Sequence, residues 1–201
     1  GALVPIGEDG NINFATPRGL VLFEDGVIGN PGGVFGEKHL ELVSIYDASE
    51  SHQLRLALGA RHMSIDTYES KNYGPGVLDI DPLPAVVSGN LTRVTDTPAI
   101  FFSNHSRKVQ YISLQDEWAL LDNLQITSGI RYDDYSDFGS TVNPRVALVY
   151  TMTDSLIAKL LYGSAFRAPS FSELYLRNNP IALGNENLKP EDIDTTELSF
   201  N

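Results

Sequence analysis

The sequence predicts an all-β chain of antiparallel strands with long loops, and three observations predict it. Apolar and polar residues alternate with a period of two over several runs. The runs are joined in alternation by short links, ASES, LDN and MTDS, and by long stretches rich in Gly, Pro, Asn and Asp at residues 70–105 and 168–194. No segment reaches the roughly 18 continuous apolar residues that a membrane-spanning helix requires.

Taken in order, residues 1–38 form a loop-rich segment. Pro5, Pro17, Pro31 and the glycines of GVIGNPGGVFG interrupt the backbone too often for a regular element, save one short ordered piece around GLVLFEDG. Gly29–Gly33 and Gly74-Pro75-Gly76 are read as turns, because neither leads from a parallel strand into a helix that would cradle phosphate. The opening GALVPIGEDG has neither the basic flank nor the apolar centre of a signal peptide.

Residues 39–201 carry the candidate strands, at 39–47, 53–68, 107–120, 124–135, 142–152, 156–167 and 195–200. In the first hairpin, Leu54, Leu56, Leu58 and Ala60 oppose Gln53, Arg55, Ala57, Gly59 and Arg61. Leu124, Ile126, Ser128, Ile130 and Tyr132 share one face of the next run, against Gln125, Thr127, Gly129, Arg131 and Asp133 on the other. Pro144, Val146, Leu148, Tyr150 and Met152 continue the apolar side, as do Leu156, Ala158, Leu160 and Tyr162. Such lengths fit the roughly 9 to 11 residues of a tilted strand that crosses a bilayer. Short turns on one rim and long loops on the other fit a barrel embedded there. Tyr132, Tyr135, Tyr150, Tyr162 and Phe166, at strand ends, suit an interfacial aromatic girdle and equally an ordinary β-sheet.

Composition narrows the function. The 201 residues include 14 Lys plus Arg against 26 Asp plus Glu, a net charge of −12, which argues against a nucleic-acid partner. With 42% hydrophobic residues the chain is too apolar for generic disorder. Zero cysteines exclude a disulfide scaffold, thiolate-bound iron–sulfur clusters and a cysteine nucleophile. No GxSxG, HExxH, CxxC, Walker or EF-hand pattern occurs, so no catalytic residue, metal or cofactor is assigned. His39, His52, His62 and His105 are too scattered for a zinc site. Asp133, Asp134 and Asp137, and Glu186, Glu191, Asp192, Asp194 and Glu197, read first as a solvated acidic rim and second as ligands for a hard cation. Tyr73, Phe101 and Phe102, with Asn72, Asn90 and Asn104 nearby, read as a local loop core or as contacts for a ligand. Asn90-Leu91-Thr92 and Asn104-His105-Ser106 match the glycosylation pattern without fixing a secretory origin.

One resemblance is more specific than parity. QDEWALLDNLQITSGIRYDDYSDFGSTVNPRVALVY, YGSAFRAPSFSELY and GNENLKPEDIDTTEL resemble the barrel of a TonB-dependent outer-membrane receptor. The residues that carry the likeness include Trp118, Arg131, Asp133, Pro144, Arg145, Phe166, Pro169, Glu173, Asn185, Pro190 and Glu191, all as architectural positions. The resemblance implies part of a large outer-membrane β-barrel of the bacterial cell, a non-enzymatic receptor. Such a receptor imports a scarce small-molecule ligand such as a siderophore, haem, cobalamin or glycan, and is coupled to the TonB complex. These matches are architectural; the candidate ligand contacts in the loops are Tyr73, Phe101, Phe102, Arg167 and Tyr175. A plugged transporter uses about 22 strands, so seven candidates and no identifiable plug or TonB box imply a stretch of middle or late barrel. Isolated, it would expose strand edges, and the open outcomes are an incomplete sheet, a different closure or pairing with a second copy. The competing reading is a secreted soluble β protein that binds carbohydrate or protein through its loops; a glycoside hydrolase stands third, for want of a measured carboxylate separation.

Overall fold

The computed structural model describes residues 1–179 and 181–201. In chain order its elements are β1 (Ala2–Ile6), β2 (Gly19–Phe23), β3 (Gly29–Ser49), β4 (His52–Lys71), β5 (Val86–Val87), β6 (Thr92–Arg93), β7 (His105–Leu121), β8 (Leu124–Tyr135), β9 (Gly139–Thr153), β10 (Leu156–Arg167), α1 (Phe171–Tyr175) and β11 (Glu191–Phe200). The long strands form one sheet in the order β11-β10-β9-β8-β7-β4-β3, with β6 added to β4; β1, β2 and β5 form a second, small sheet. The ladders from β7 through β11 are antiparallel between chain neighbours. The path ends at β3 and β11 without pairing them, so the sheet is open. Among the described residues no helix is long and apolar enough to cross a membrane, which says nothing about strands.

All seven expected strands are present, and two differences stand out. The strand expected from residue 39 begins at Gly29, so Gly29–Gly33 is extended strand and not a turn. Small residues are needed there because Tyr68 crosses the backbone: a Cβ on Gly32 would sit 2.4 Å from the Tyr68 ring. Gly74 and Gly76, by contrast, do occupy the left-handed region, at φ 81° and 77°. The second difference is that the proline-rich opening contains β1 and β2. Pro5 lies on the outer strand of the small sheet and Pro31 on the outer strand of the large one, where a missing N–H leaves no ladder bond unmade. Pro144 pairs with Ile130 just beyond Arg145, where the β9–β10 ladder stops, for the same reason.

The chain divides into two compact units. The first comprises Gly1–Gly36, Ser64–His105 and Ser170–Leu188. Its core is built from one face of each short strand, Val4 and Ile6 from β1 and Val21 and Phe23 from β2, packed with Tyr73, Leu78 and Phe101. The alternate residues Leu3, Leu20 and Leu22 are exposed, as a period of two requires. Three polar side chains are fully enclosed with this core. Asn72 accepts from the Ile28 N–H at 2.7 Å and donates to the Gly26 and Ser88 carbonyls at 2.9 and 3.2 Å. Lys71 Nζ donates to the Ala99 carbonyl at 2.7 Å and lies 3.2 Å from Glu69 Oε1, while Glu69 Oε2 accepts from the Phe101 N–H at 2.6 Å. Each of these side chains has a hydrogen-bonding partner, and the one atom without a hydrogen bond, Glu69 Oε1, faces the Lys71 ammonium.

The second unit comprises Glu37–Met63, Ser106–Pro169 and Lys189–Asn201. Its register sorts side chains into rows across the strands. One face carries Trp118, Ile126, Leu148, Leu160 and Leu198 in a single row, then Ser128, Val146, Tyr162 and Thr196, then Leu114, Ile130 and Pro144. The opposite face carries Glu117, Thr127, Ala147, Leu161 and Glu197, then Gln115, Gly129, Arg145, Gly163 and Thr195, then Ser113, Arg131 and Asn143. Leu40, Leu42, Leu114, Ile130 and Leu160 on the first face are all exposed. A protein in water covers such a surface; one that lies against hydrocarbon leaves it bare.

Candidate functional site

The polar face of the second unit is a wall of partnered charges. Arg131 grips Asp133 with two parallel bonds, Nη2 to Oδ1 at 2.7 Å and Nε to Oδ2 at 2.8 Å. This pairing lets Asp133 be buried at 1% exposure. The same guanidinium lies 3.8 Å from the centroid of the Tyr111 ring. Tyr111 donates its hydroxyl hydrogen to Glu41 Oε2 at 2.5 Å and stands 2.7 Å from His39 Nε2. Arg55 approaches Glu41 at 4.0 Å, Arg61 approaches Glu37 at 3.4 Å, and Arg145 donates to Gln115. Arg55, Arg131 and Arg145 line an open concavity of about 340 Å3 with Ser113 and Asn143. Such a surface is wetted and holds anionic or hydrogen-bonding groups; it offers no nucleophile with an adjacent base.

Tyr111 also explains a glycine. A Cβ on Gly59 would stand 2.1 Å from the ring carbon that bears the hydroxyl. That end of the ring is pinned by Glu41, His39 and Arg131, so it cannot swing aside without breaking those contacts. Gly59→Ala is expected to cost about 1–3 kcal/mol, read as a lower urea midpoint for the refolded protein. An unchanged midpoint would mean that the ring moves freely.

Of the acidic groups near the loops, Asp133, Asp137 and Glu191 are engaged by arginines. Asp137 receives Arg107 Nε at 2.8 and 2.9 Å, with the Arg107 Nη2 also on the Pro169 carbonyl at 2.9 Å. Glu191 pairs with Arg167 through two bonds, at 2.8 and 3.0 Å. Among the described residues no group of three or more His, Asp or Glu side chains is placed to hold a metal ion. Two further histidines are partnered: His52 Nδ1 lies 2.9 Å from Asp116 Oδ2 and its ring stacks on Trp118, and His105 Nδ1 is 2.7 Å from the Ser103 carbonyl.

The five candidate ligand contacts fall in three places. Tyr73 and Phe101 lie in the core of the first unit, with ring centroids 6.2 Å apart. Burial, and then the Glu69 carboxylate, push the Tyr73 phenol above its ordinary range. Phe102 and Tyr175 are half-buried and sandwich His105, at 5.5 and 3.8 Å between centroids, with Phe171 at 6.5 Å. Arg167 is on β10, bound to Glu191. The stacked trio is the aromatic surface of the first unit suited to a flat or apolar ligand. His105 escaped the sequence reading as a site residue, although its neighbours Phe102 and Asn104 did not.

The motif positions have structural work. Ser170 caps α1 and Glu173 completes a capping box: Ser170 Oγ accepts from the Glu173 N–H at 3.2 Å, and Glu173 Oε2 accepts from the Ser170 N–H at 2.7 Å. The Asn185 N–H donates to the Glu173 carbonyl at 2.8 Å, tying the following loop to the helix. Phe166 meets Tyr135 edge-on at 5.6 Å, and Pro190 leads into β11.

Comparison with known proteins agrees with this geometry. A family described as "TonB dependent receptor-like, beta-barrel" matches residues 11–201. The vitamin B12 transporter BtuB of Vibrio cholerae is 41% identical over 75 residues, 37% of this chain and 12% of that protein. The iron-regulated outer membrane virulence protein of the same species is 29% identical over 149 residues, 70% of this chain and 23% of that protein. The hemin receptor of Yersinia pestis is 35% identical over 117 residues, 46% of this chain and 17% of that protein. Among solved structures, the ferric enterobactin receptor PfeA of Pseudomonas aeruginosa superimposes with a TM-score of 0.57 at 17% identity, over 85% of this chain and 24% of that one. The siderophore receptor PirA of Acinetobacter baumannii does so at 0.54 and 15%, over 98% and 28%. The chain thus spans about an eighth of the curated transporter it matches at 41% identity, and it is a stretch of a larger barrel. It belongs to the TonB-dependent receptor-like β-barrel family, a family of outer-membrane receptors and not of enzymes.

Proposed function

We propose that the protein to which this chain contributes barrel strands is an active-transport receptor. It binds a scarce ligand such as a siderophore, haem, cobalamin or glycan at its long loops and imports it with energy from the TonB complex. The observation that carries this reading is the two-faced sheet, with uncovered leucines and isoleucines on one side and hydrogen-bonded arginines, carboxylates and amides on the other. A sheet of this kind separates hydrocarbon from a wet conduit. It weighs against a soluble secreted protein, which would cover the apolar rows. The names of the matched relatives, a vitamin B12 transporter, a hemin receptor and siderophore receptors, support a metal-bearing small molecule as cargo. The Phe102, His105 and Tyr175 stack gives such a molecule an aromatic contact.

The test is uptake in a strain from which the gene has been cleanly deleted. Restored full-length receptor should return uptake of one labelled cobalamin, haem or ferric siderophore, and deletion of the TonB energy source should abolish it. Phe102→Ala with Tyr175→Ala should weaken that uptake about tenfold at limiting ligand, on the scale of two lost aromatic contacts of roughly 0.5–1.5 kcal/mol each. Surface expression without ligand-dependent uptake of any of them would refute the transport reading.

A further inference from the structure

The aromatic stack of the first unit is assembled from two segments that are far apart in the chain. Phe102 and His105 come from the segment that leads into β7, and Tyr175 from the end of α1. The first segment is fastened to the unit on its own account. Phe101 is a core ring whose N–H donates to Glu69 Oε2 at 2.6 Å, and the Ala99 carbonyl accepts from Lys71 Nζ at 2.7 Å. Thr67 then holds the two residues beside the stack, its hydroxyl donating to the Phe102 carbonyl at 2.5 Å and its N–H to Asn104 Oδ1 at 2.7 Å.

Tyr175 is brought to His105 by the residues that follow it. α1 is five residues long, too short to hold its direction by its own hydrogen bonds. Just past it the chain turns at Asn178, whose φ of 55° lies in the left-handed region. At that turn the Arg177 N–H donates to the Phe101 carbonyl at 2.7 Å, and Asn178 Nδ2 donates to the Pro98 and Ile100 carbonyls at 2.7 and 3.0 Å. Both hydrogens of the Asn178 amide are thus spent on the segment that carries Phe102 and His105.

The residue type suits this position. Asparagine combines tolerance of a left-handed backbone with a short amide that has two hydrogens to donate. Glycine would keep the turn and lose both bonds. Aspartate would keep the turn and the size of the side chain, and would set a carboxylate oxygen against two carbonyl oxygens.

We propose that Asn178 is a positioning residue for cargo capture: its amide clasps the loop of Tyr175 to the loop of Phe102 and His105, so the stack is assembled before cargo arrives. This rests on the transport reading above, in which the stack is a cargo contact. A preassembled site binds in proportion to the fraction of receptors that hold it. Loss of the clasp therefore slows capture and leaves release unchanged, whereas loss of a contacting ring speeds release.

The test uses the full-length receptor in detergent, with its histidines isotopically labelled at Cε1 for NMR. The His105 signal, assigned by its disappearance in His105→Gln, is displaced by the Tyr175 ring 3.8 Å away, and Tyr175→Leu gives its position without that ring. In Asn178→Gly the signal should move most of the way to the Tyr175→Leu position, and in Asn178→Asp at least as far. Stopped-flow binding of haemin and of cyanocobalamin should show association about tenfold slower in Asn178→Gly, on the scale of two lost hydrogen bonds. Dissociation should be unchanged in that variant and faster in Tyr175→Ala. A native His105 signal in Asn178→Gly overturns the proposal, as does a loss of affinity carried by faster dissociation. If Asn178→Gly fails to fold, Asn178→Asp carries the test: a native His105 signal in that folded variant refutes the assignment. Absence of binding by both probes counts against the cargo reading, while the histidine signal decides the clasp without any ligand.

Discussion

Leu160→Arg is expected to cost the receptor roughly 2–4 kcal/mol of folding stability in a bilayer, and the same change at Leu161 less than about 1 kcal/mol. The two leucines are chain neighbours near the middle of β10, and both are exposed. Leu160 stands in the row of Trp118, Ile126, Leu148 and Leu198. A guanidinium there has only hydrocarbon to meet. Leu161 faces the polar side, directly across from Glu197 and in the same row as Glu117. An arginine at that position meets carboxylates and water. The measurement is the urea midpoint of each variant refolded into phosphatidylcholine vesicles, followed by tryptophan emission. Equal losses at the two positions would mean that the faces have been assigned wrongly, because burial at 45% and 38% exposure does not distinguish them.

That pair shows what was legible in the sequence. A strand sends alternate side chains to opposite faces whatever surrounds it, so the alternation of Leu124, Ile126 and Ile130 with Gln125, Thr127 and Arg131 gave strand positions and faces together. Period alone decides Leu160 against Leu161, even though the residues are identical. The first 38 residues are less legible, because a proline excludes a strand only where its missing N–H would meet a neighbour, and which strands are outermost is a property of the fold. Pro5 and Pro31 sit on outer strands, where the usual penalty vanishes. Gly29–Gly33 was misread for a related reason: glycine marks close approach as well as turning, and only the fold brings Tyr68 onto Gly32. Tyr73 and Phe101 are aromatic residues in a loop rich in polar groups, and nothing local in the chain distinguishes a ring that enters a core from one left for a ligand. The stack brings Tyr175 onto His105, seventy positions earlier in the chain, a distance over which no pattern in one sequence carries information.

Lys71→Met is expected to destabilise the first unit by about 3–5 kcal/mol, and Glu69→Gln added to it to recover most of the loss. Glu69 and Lys71 are 1% and 0% exposed, at the far end of β4 beyond the stretch that crosses the membrane. Burial holds the Lys71 ammonium below its ordinary pKa, with Glu69 pulling the other way. The cost of desolvation therefore dominates, and the ion pair adds little over a neutral pair of similar shape. Its importance lies in balance: with Lys71 gone, the Glu69 carboxylate remains enclosed with no cation, and the Ala99 carbonyl loses its donor. Glutamine at 69 removes the charge while its amide oxygen still accepts from the Phe101 N–H. Phe101 is a core ring, and the Arg177 N–H donates to its carbonyl at 2.7 Å, so loosening this point frees loop segments on both sides of β7. Hydrogen exchange of the full-length receptor should show faster exchange in peptides from residues 94–102 and 174–178 in Lys71→Met, and near-native rates in the double variant. Ligand uptake should follow the same order, if the loops must be ordered to capture it. Unchanged exchange in Lys71→Met would mean that the unit tolerates Glu69 without its cation, and that the ion pair does not hold these segments.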